Sequence, residues 1–253
     1  MRGQPAGNTV NAVIQARASS NRLPGKVLRP LGGRSVLGWV VRAAAATPGI
    51  DKVIVATSQA PDDDGVAEEA VRVGAEVVRG PLDDVLARFV LACERHPAAA
   101  IVRLTADCPL LDPEVIGRIV TLWRADPSID YLSTTLVGGT LGRTMARGFD
   151  AELVRHDVLA EQDVIATGAA REHVTSGVYG DPGRYSCVGV VVTPPSEDLR
   201  VTVDTPEDLA LLEAVVAELG DGIPSWRSVV SLLRSRPDLV VLNAHVEQKK
   251  LTG

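Results

Sequence analysis

The sequence predicts an α/β fold, a mostly parallel sheet flanked by helices. Three observations carry this. Short β-branched apolar runs alternate with amphipathic segments of helix length through the first half of the chain. Polar clusters follow several of those runs directly, as loops at the carboxyl ends of parallel strands do. Helix-start signals, Asp62 after Pro61 and Asp112 before Pro113-Glu114, keep the two periodicities in register.

Taken in order, residues 10–14 read as a buried strand and 34–46 as a helix. Residues 52–56 are the next strand, followed by a helix over 62–73 that Gly74 stops. A strand at 76–78 precedes a helix at 83–93, and 100–104 is another strand. The pattern changes near Tyr131. Residues 136–148 are glycine-rich and aperiodic, and strand signals return at 149–153, 186–192 and 201–203. Helices over 206–219 and 226–235 follow. With no internal repeat or linker, the expectation is a flexible N-terminus at 1–9 and a single domain at 10–240. That domain carries a loop-and-strand excursion at about 131–190, and a tail follows at 241–253.

The 253 residues, 45% of them hydrophobic, suffice for one full-sized core. Aromatics are only 3%, so Val, Leu, Ile and Ala must build it. A formal net charge of −6 argues against a nucleic-acid footprint and leaves the basic loops to a small anionic ligand. No stretch approaches the ~20 apolar residues of a membrane span, and the opening residues lack a signal peptide's apolar centre. Cys93, Cys108 and Cys187 have no metal or redox spacing, and the odd count fits a reducing, cytoplasmic setting. Cys108 beside Asp107 has no neighbouring His to make it a nucleophile.

After the first strand the chain reads A-R-A-S-S-N-R-L-P-G-K, residues 16–26. Arg17, Arg22 and Lys26 neutralise charge, Ser19 and Ser20 donate, and Gly25 frees the backbone, a composition suited to a polyphosphate as well as to a plain solvated loop. The strand at 100–104 ends in Thr105-Ala106-Asp107. Asp107 is placed either to ligate Mg²⁺ beside phosphates or to cap a turn. The run V-T-V-D-T-P-E-D places Asp204 ahead of a helix start in which Thr205 and Asp208 suit a capping box. In G-P-L-D-D-V-L-A-R, Asp83 suits a cap and Arg88 a solvent face. His173, in R-E-H-V-T, suits a packed helical histidine as much as a ligand contact.

These motifs together resemble the cytidylyltransferases that make CMP-activated acidic sugars, most closely the spore-coat polysaccharide cytidylyltransferase-like branch. The resemblance spans residues 11–219. It implies a glycosyltransferase-A-like, Rossmann-like nucleotidyltransferase sheet and transfer of CMP from CTP to an anionic acceptor, with Mg²⁺. It implies that Ala16, Arg17, Ser20, Arg22, Lys26, Asp84, Arg88, Thr105 and Ala106 bind the nucleotide. Arg17, Lys26, Asp107 and Asp204 are implied as catalytic, the two aspartates holding the metal. The implied acceptor residues are Arg143, Arg147, Asp150, Glu152, Arg171 and His173. The partners implied are small molecules and a second copy of the chain, with neither nucleic acid nor membrane. Two departures stand out. Ala106 replaces the usual Gly, and Ala146-Arg147 replaces Pro-Asp, a reversal of charge that favours a more anionic acceptor. A metal-dependent nucleotide-sugar glycosyltransferase and a non-catalytic nucleotide-binding protein remain alternatives. The first would need a compact D-x-D pair, for which Asp62-Asp63-Asp64 is the match.

Overall fold

The computed structural model describes residues 7–135 and 142–247. Most of the expected N-terminal segment, the 136–141 part of the glycine-rich stretch and the end of the tail lie outside them. In chain order, β1 (Val10–Gln15) leads into the loop 16–26 and a two-residue hairpin, β2 (Pro30–Leu31) and β3 (Arg34–Ser35). Helix α1 (Val36–Ala45), β4 (Lys52–Ser58), α2 (Asp64–Arg72), β5 (Glu76–Gly80) and α3 (Val85–Arg95) follow. Then come β6 (Ala100–Thr105), α4 (Pro113–Ala125), β7 (Tyr131–Ser133), β8 (Glu152–Arg155), α5 (His156–Ile165), α6 (Ala169–His173) and α7 (Ser176–Tyr179). The described chain closes with β9 (Cys187–Gly189), α8 (Pro206–Leu219), α9 (Trp226–Ser235) and α10 (Pro237–Val240).

Seven strands form one sheet in the order β5-β4-β1-β6-β8-β7-β9. β5, β4, β1 and β6 run parallel, while β8 pairs antiparallel with both β6 and β7. The alternation of side chains explains why the parallel strands read as continuous apolar runs. In β1, Ala12 and Ile14 enter one buried cluster with α1 and α4, and Val13 enters another with α3 and α5. Each fully buried Val, Leu or Ile contributes roughly 1.5–3 kcal/mol by leaving water. A third cluster, around Trp39, Phe149 and Trp226, seats α8 and α9 against the hairpin.

The Asp112-Pro113-Glu114 signal caps α4 through Asp112 Oδ1 and Glu114 N, and the same carboxylate holds Trp226 N at 2.8 Å. The Thr205–Asp208 capping box forms on α8. Other expectations are corrected. The strand expected at 149–153 forms only at Glu152–Arg155, because Phe149 N turns back to Ala146 O and Gly148 N to Asp150 Oδ2. Residues 201–203 are extended and buried without a ladder, their bonds going singly to Arg147 O and Asp107 O. The 186–192 strand is laddered only over Cys187–Gly189. The cap of α3 is Asp84, not Asp83, and Arg88 is fully buried rather than on a solvent face. Pro61 opens a 3₁₀ turn, after which α2 begins at Asp64.

Candidate active site

Three chain segments meet above the carboxyl ends of β1 and β6, where open parallel sheets bind ligands. They enclose a cavity of about 460 Å³. The loop contributes Arg17, Ser19, Ser20, Arg22 and Lys26, the end of β6 and the turn after it contribute Thr105, Ala106 and Asp107, and the run before α8 contributes Asp204.

The loop is pinned along its length. Ala16 N donates to Ala56 O at 3.2 Å, Ala18 N to Asp63 Oδ1 at 2.6 Å and Gly25 N to Ala18 O at 2.9 Å. Ser20 Oγ accepts from Leu23 N at 3.4 Å. Gly25 sits at φ +66 with open space where a Cβ would stand, so the left-handed backbone, not crowding, requires glycine. Asp63 is buried, and its second oxygen takes the backbone and hydroxyl of Ser58. The middle residue of the D-x-D match therefore ties the loop to β4 and does not face the cavity. Arg17 is exposed and makes no hydrogen bond or ion pair among the described residues.

The aspartate segments are stitched together. Val203 N and Thr202 Oγ1 both donate to Asp107 O, at 2.8 and 3.0 Å. Their carboxylates then converge on one cation, with Lys26 Nζ 2.6 Å from Asp107 Oδ2 and 2.7 Å from Asp204 Oδ1. Arg22 and Arg200 reach Asp204 Oδ2 at 2.9 and 2.6 Å. Burial disfavours ionised Asp204, but Lys26, Arg200 and Arg22 outweigh it and hold its carboxyl down at about 2. Burial likewise disfavours charged Lys26, yet the two carboxylates raise its pKa above the ordinary lysine value.

This donor set fits a divalent cation. Two carboxylate oxygens from separate segments already grip a single positive charge, and Mg²⁺ takes one or two carboxylates and completes its shell with phosphates and water. Among the described residues no three His, Cys, Asp or Glu side chains gather as a metal cage, so most ligands must come from substrate.

Sequence reasoning missed the layer behind Asp204. Arg200 bonds Asp208 Oδ1 and Oδ2 at 2.8 and 3.0 Å while holding Asp204. Asn243, from the described part of the tail, donates to Asp208 Oδ1 at 2.8 Å, and Glu247 O accepts from Arg22 Nη1 at 3.1 Å. The only local signal was an arginine four positions ahead of Asp204. Gln15, which lines the cavity, was also missed, because it falls between the strand expected at 10–14 and the basic loop that starts at residue 16.

The other predicted residues are placed as follows. Asp84 spends one oxygen on the α3 cap and the other on Arg171 Nε at 2.6 Å. Arg171 is also bound to Asp163 at 2.7 Å, so these two form a structural pair away from the cavity lining. Arg88 donates Nη1 to the Pro81 and Leu82 carbonyls, while its buried Nε and Nη2 have no partner. Burial, then repulsion from Arg17, lowers its pKa. Arg143 pairs with Asp150 at 2.6 Å. Arg147 pairs through its backbone with the Leu199–Val201 segment, where Gly148 is needed because a Cβ would stand 2.6 Å from Val201 backbone. The Arg147 side chain makes no hydrogen bond or ion pair among the described residues, and burial followed by Arg143 lowers its pKa. Glu152 is engaged with Arg103, Tyr131 and Thr175, and His173 is half-buried in α6. Cys108 is buried, and burial and Asp107 push its thiol well up, which is packing rather than nucleophile chemistry.

Comparison with known proteins finds relatives over most of the chain. The family described as Cytidylyltransferase matches residues 11–160. The spore coat polysaccharide biosynthesis protein SpsF of Bacillus subtilis is 31% identical over 91% of this chain and 96% of its own. A 3-deoxy-manno-octulosonate cytidylyltransferase of Maricaulis maris is 28% identical over 84% of this chain and 99% of its own. Among solved structures, a cytidylyltransferase from Leptospira borgpetersenii superposes with a TM-score of 0.86 at 27% identity, covering 96% of this chain and 99% of that one.

Proposed function

The chain belongs to the cytidylyltransferase family and is a CTP-dependent nucleotidyltransferase, and from that premise we propose that it transfers CMP from CTP to an acidic sugar, releasing pyrophosphate. One observation carries the chemistry. Asp107 and Asp204 converge on Lys26 Nζ, on a loop that also supplies Arg17 and Arg22. The Maricaulis maris relative is by name an octulosonate cytidylyltransferase, which supports an acid sugar as the acceptor class.

In the proposed reaction an acceptor oxygen attacks the α-phosphorus in line, and the bond from that phosphorus to the oxygen bridging to the β-phosphate breaks. Asp107 and Asp204 would hold the divalent cation, Mg²⁺, which when bound supplies Lewis-acid charge neutralisation at phosphate and acceptor oxygens. Arg17, Arg22 and Lys26 bind the phosphates and stabilise the charge gathering on pyrophosphate. Ser20, Ala16, Thr105 and Ala106 shape the nucleotide side. Arg88, which the resemblance implies beside the nucleotide, is buried with two unpartnered donors. Catalysis is then chiefly positioning and electrostatics. Arg143, Arg147 and Asp150 stand on the acceptor side, where the Arg147 side chain has no ion-pair partner among the described residues.

Pyrophosphate release measured with CTP, ATP, GTP and UTP against a panel of acidic sugars tests the proposal. CTP alone should support turnover with Mg²⁺. Equal binding of all four nucleotides in calorimetry overturns the cytidylyl assignment.

A further inference from the structure

Gln15, the last residue of β1, lines the cavity that holds Asp107 and Asp204, and its amide has a fixed sense. Arg103 Nη2 donates to Gln15 Oε1 at 3.0 Å. A guanidinium only donates, so the amide oxygen must face Arg103 and the NH₂ group is left to the cavity. That NH₂ has no partner among the described residues.

Arg103 is locked in turn. It stands opposite Val13 on β1 while Gln15 stands opposite Thr105, which puts both side chains on one sheet face. On its other side Arg103 is in register with Glu152 of β8, and Nη1 donates to Glu152 Oε2 at 2.6 Å. Glu152 also accepts from Tyr131 OH and Thr175 Oγ1, each at 3.0 Å. Thr175 is fully buried and follows Val174 at φ 56, a conformation that costs a β-branched residue strain. An ion pair taken largely out of water is weak as a source of stability. What this one produces is an outward-facing, neutral donor that cannot turn over.

The network leads away from the cationic loop, toward β8, β7 and the 171–175 segment. We propose that Gln15 is a specificity-determining residue whose Nε2 donates to a carboxylate oxygen of the acceptor, with Arg103 and Glu152 as the positioning pair that fixes the amide. A neutral donor here engages an anion without competing for Asp107 and Asp204. The proposal rests on the CMP-transfer reading above.

The test combines CTP calorimetry with initial pyrophosphate release at saturating CTP and Mg²⁺, using 3-deoxy-manno-octulosonate, N-acetylneuraminate and phosphonoacetate as acceptors. Gln15→Leu should raise the acceptor KM by roughly tenfold or more, the loss expected for a bond to a charged group, and leave CTP Kd within about twofold. Gln15→Glu should raise it further. Arg103→Met should act in the same direction, and the double variant should be no worse than the worse single one, as coupled residues require. Should Arg103→Met not fold, Gln15→Leu decides alone. An unchanged acceptor KM in Gln15→Leu, or a rise in CTP Kd instead, overturns the inference. Wild-type protein that binds CTP but uses none of the acids overturns it too. Failure of wild type to bind CTP is a different result and removes the CMP-transfer reading itself.

Discussion

Asp107 and Asp204 come from distant parts of the chain and share one ammonium, Lys26 Nζ, at 2.6 and 2.7 Å. The lysine side chain is only 13% exposed, so this is a dry contact in which charge interactions are strong. Lys26 stands where two carboxylates focus a cation, and in the proposed reading it belongs to the loop that meets the phosphates. Phosphate arrival would give that ammonium a second set of oxygens and free the carboxylates. Nucleotide and metal are thereby expected to bind with positive coupling.

Lys26→Met tests this coupling. With the competing ammonium gone, Mn²⁺ alone should bind tighter by roughly tenfold or more, since two unit charges ~4 Å apart interact by about 4 kcal/mol at an effective dielectric constant near 20. CTP turnover should fall at the same time, because a phosphate contact is lost. Calorimetry with Mn²⁺ in the absence of CTP gives the answer, and weaker metal binding in the variant would contradict the argument.

Asp107→Asn and Asp204→Asn should each retain the fold and lose most activity. Arg200 keeps Asp208 as a partner in the second variant, so the helix start survives. The double variant should be little worse than either single one, as expected for groups acting as a unit. Circular dichroism with pyrophosphate-release rates checks both halves, and a single variant turning over like wild type would remove the two-carboxylate site.

The parallel half of the sheet was legible because buried strands and capped helices announce themselves locally, as at residues 10–14 and at Asp112-Pro113-Glu114. Asp107 and Asp204 were legible as carboxylates at strand ends. Asp63, Arg200 and Asn243 were not. Each acts through a partner distant in sequence or outside any motif, Asp63 on Ala18 N and Asn243 on Asp208. The short strand Tyr131–Ser133 and helices α5 to α7 were missed for a related reason. Their stability comes from tertiary packing, which overrides weak local periodicity. Asp84 misled in the other direction, since a family position near the nucleotide is here occupied by a helix cap paired with Arg171.

Asn243 makes the tail part of the site's support. It is 4% exposed and satisfies Asp208 Oδ1, which in turn holds Arg200 against Asp204. Asn243→Ala should destabilise the fold by roughly 1.5–3 kcal/mol, the loss of a hydrogen bond to a charged acceptor that Arg200 still partly satisfies. A thermal melt should show the midpoint falling by about 2–4 °C per kcal/mol for a chain of this size. A midpoint identical to wild type would mean that the tail contact is incidental.

The cysteines give a pH-dependent check. Burial, then Glu94, pushes the Cys93 thiol up to about 12, and Cys108 and Cys187 are shifted in the same direction. A raised thiol pKa means less thiolate, the reactive form, at any given pH. At pH 8 Cys93 should therefore resist a disulfide reagent, and the half-buried Cys187 should react first. The sign for stability follows. The folded state prefers the protonated thiol, so Cys93 contributes stability below pH 9, its ordinary value, and that contribution is lost as pH rises through about 12. Rapid labelling of Cys93 in native protein at pH 8 would contradict its burial.

Arg147, like Arg17, has a side chain that makes no hydrogen bond or ion pair among the described residues. Its backbone is fixed against the Leu199–Val201 segment, one residue from the arginine that holds Asp204. Arg143 is neutralised by Asp150, whereas Arg147 has no ion-pair partner among the described residues. In the proposed reading an unpaired cation on the acceptor side should attract an anion. Arg147→Asp reverses that charge and restores the residue type usual in the family branch. It should raise the acceptor KM by roughly tenfold or more, as the loss of a charge-assisted bond of ~1.5–3 kcal/mol implies, with CTP affinity nearly unchanged. Steady-state kinetics with each substrate varied in turn separates the two effects. Unaltered acceptor kinetics would mean that the exchange of Asp for Arg at this position leaves substrate choice untouched.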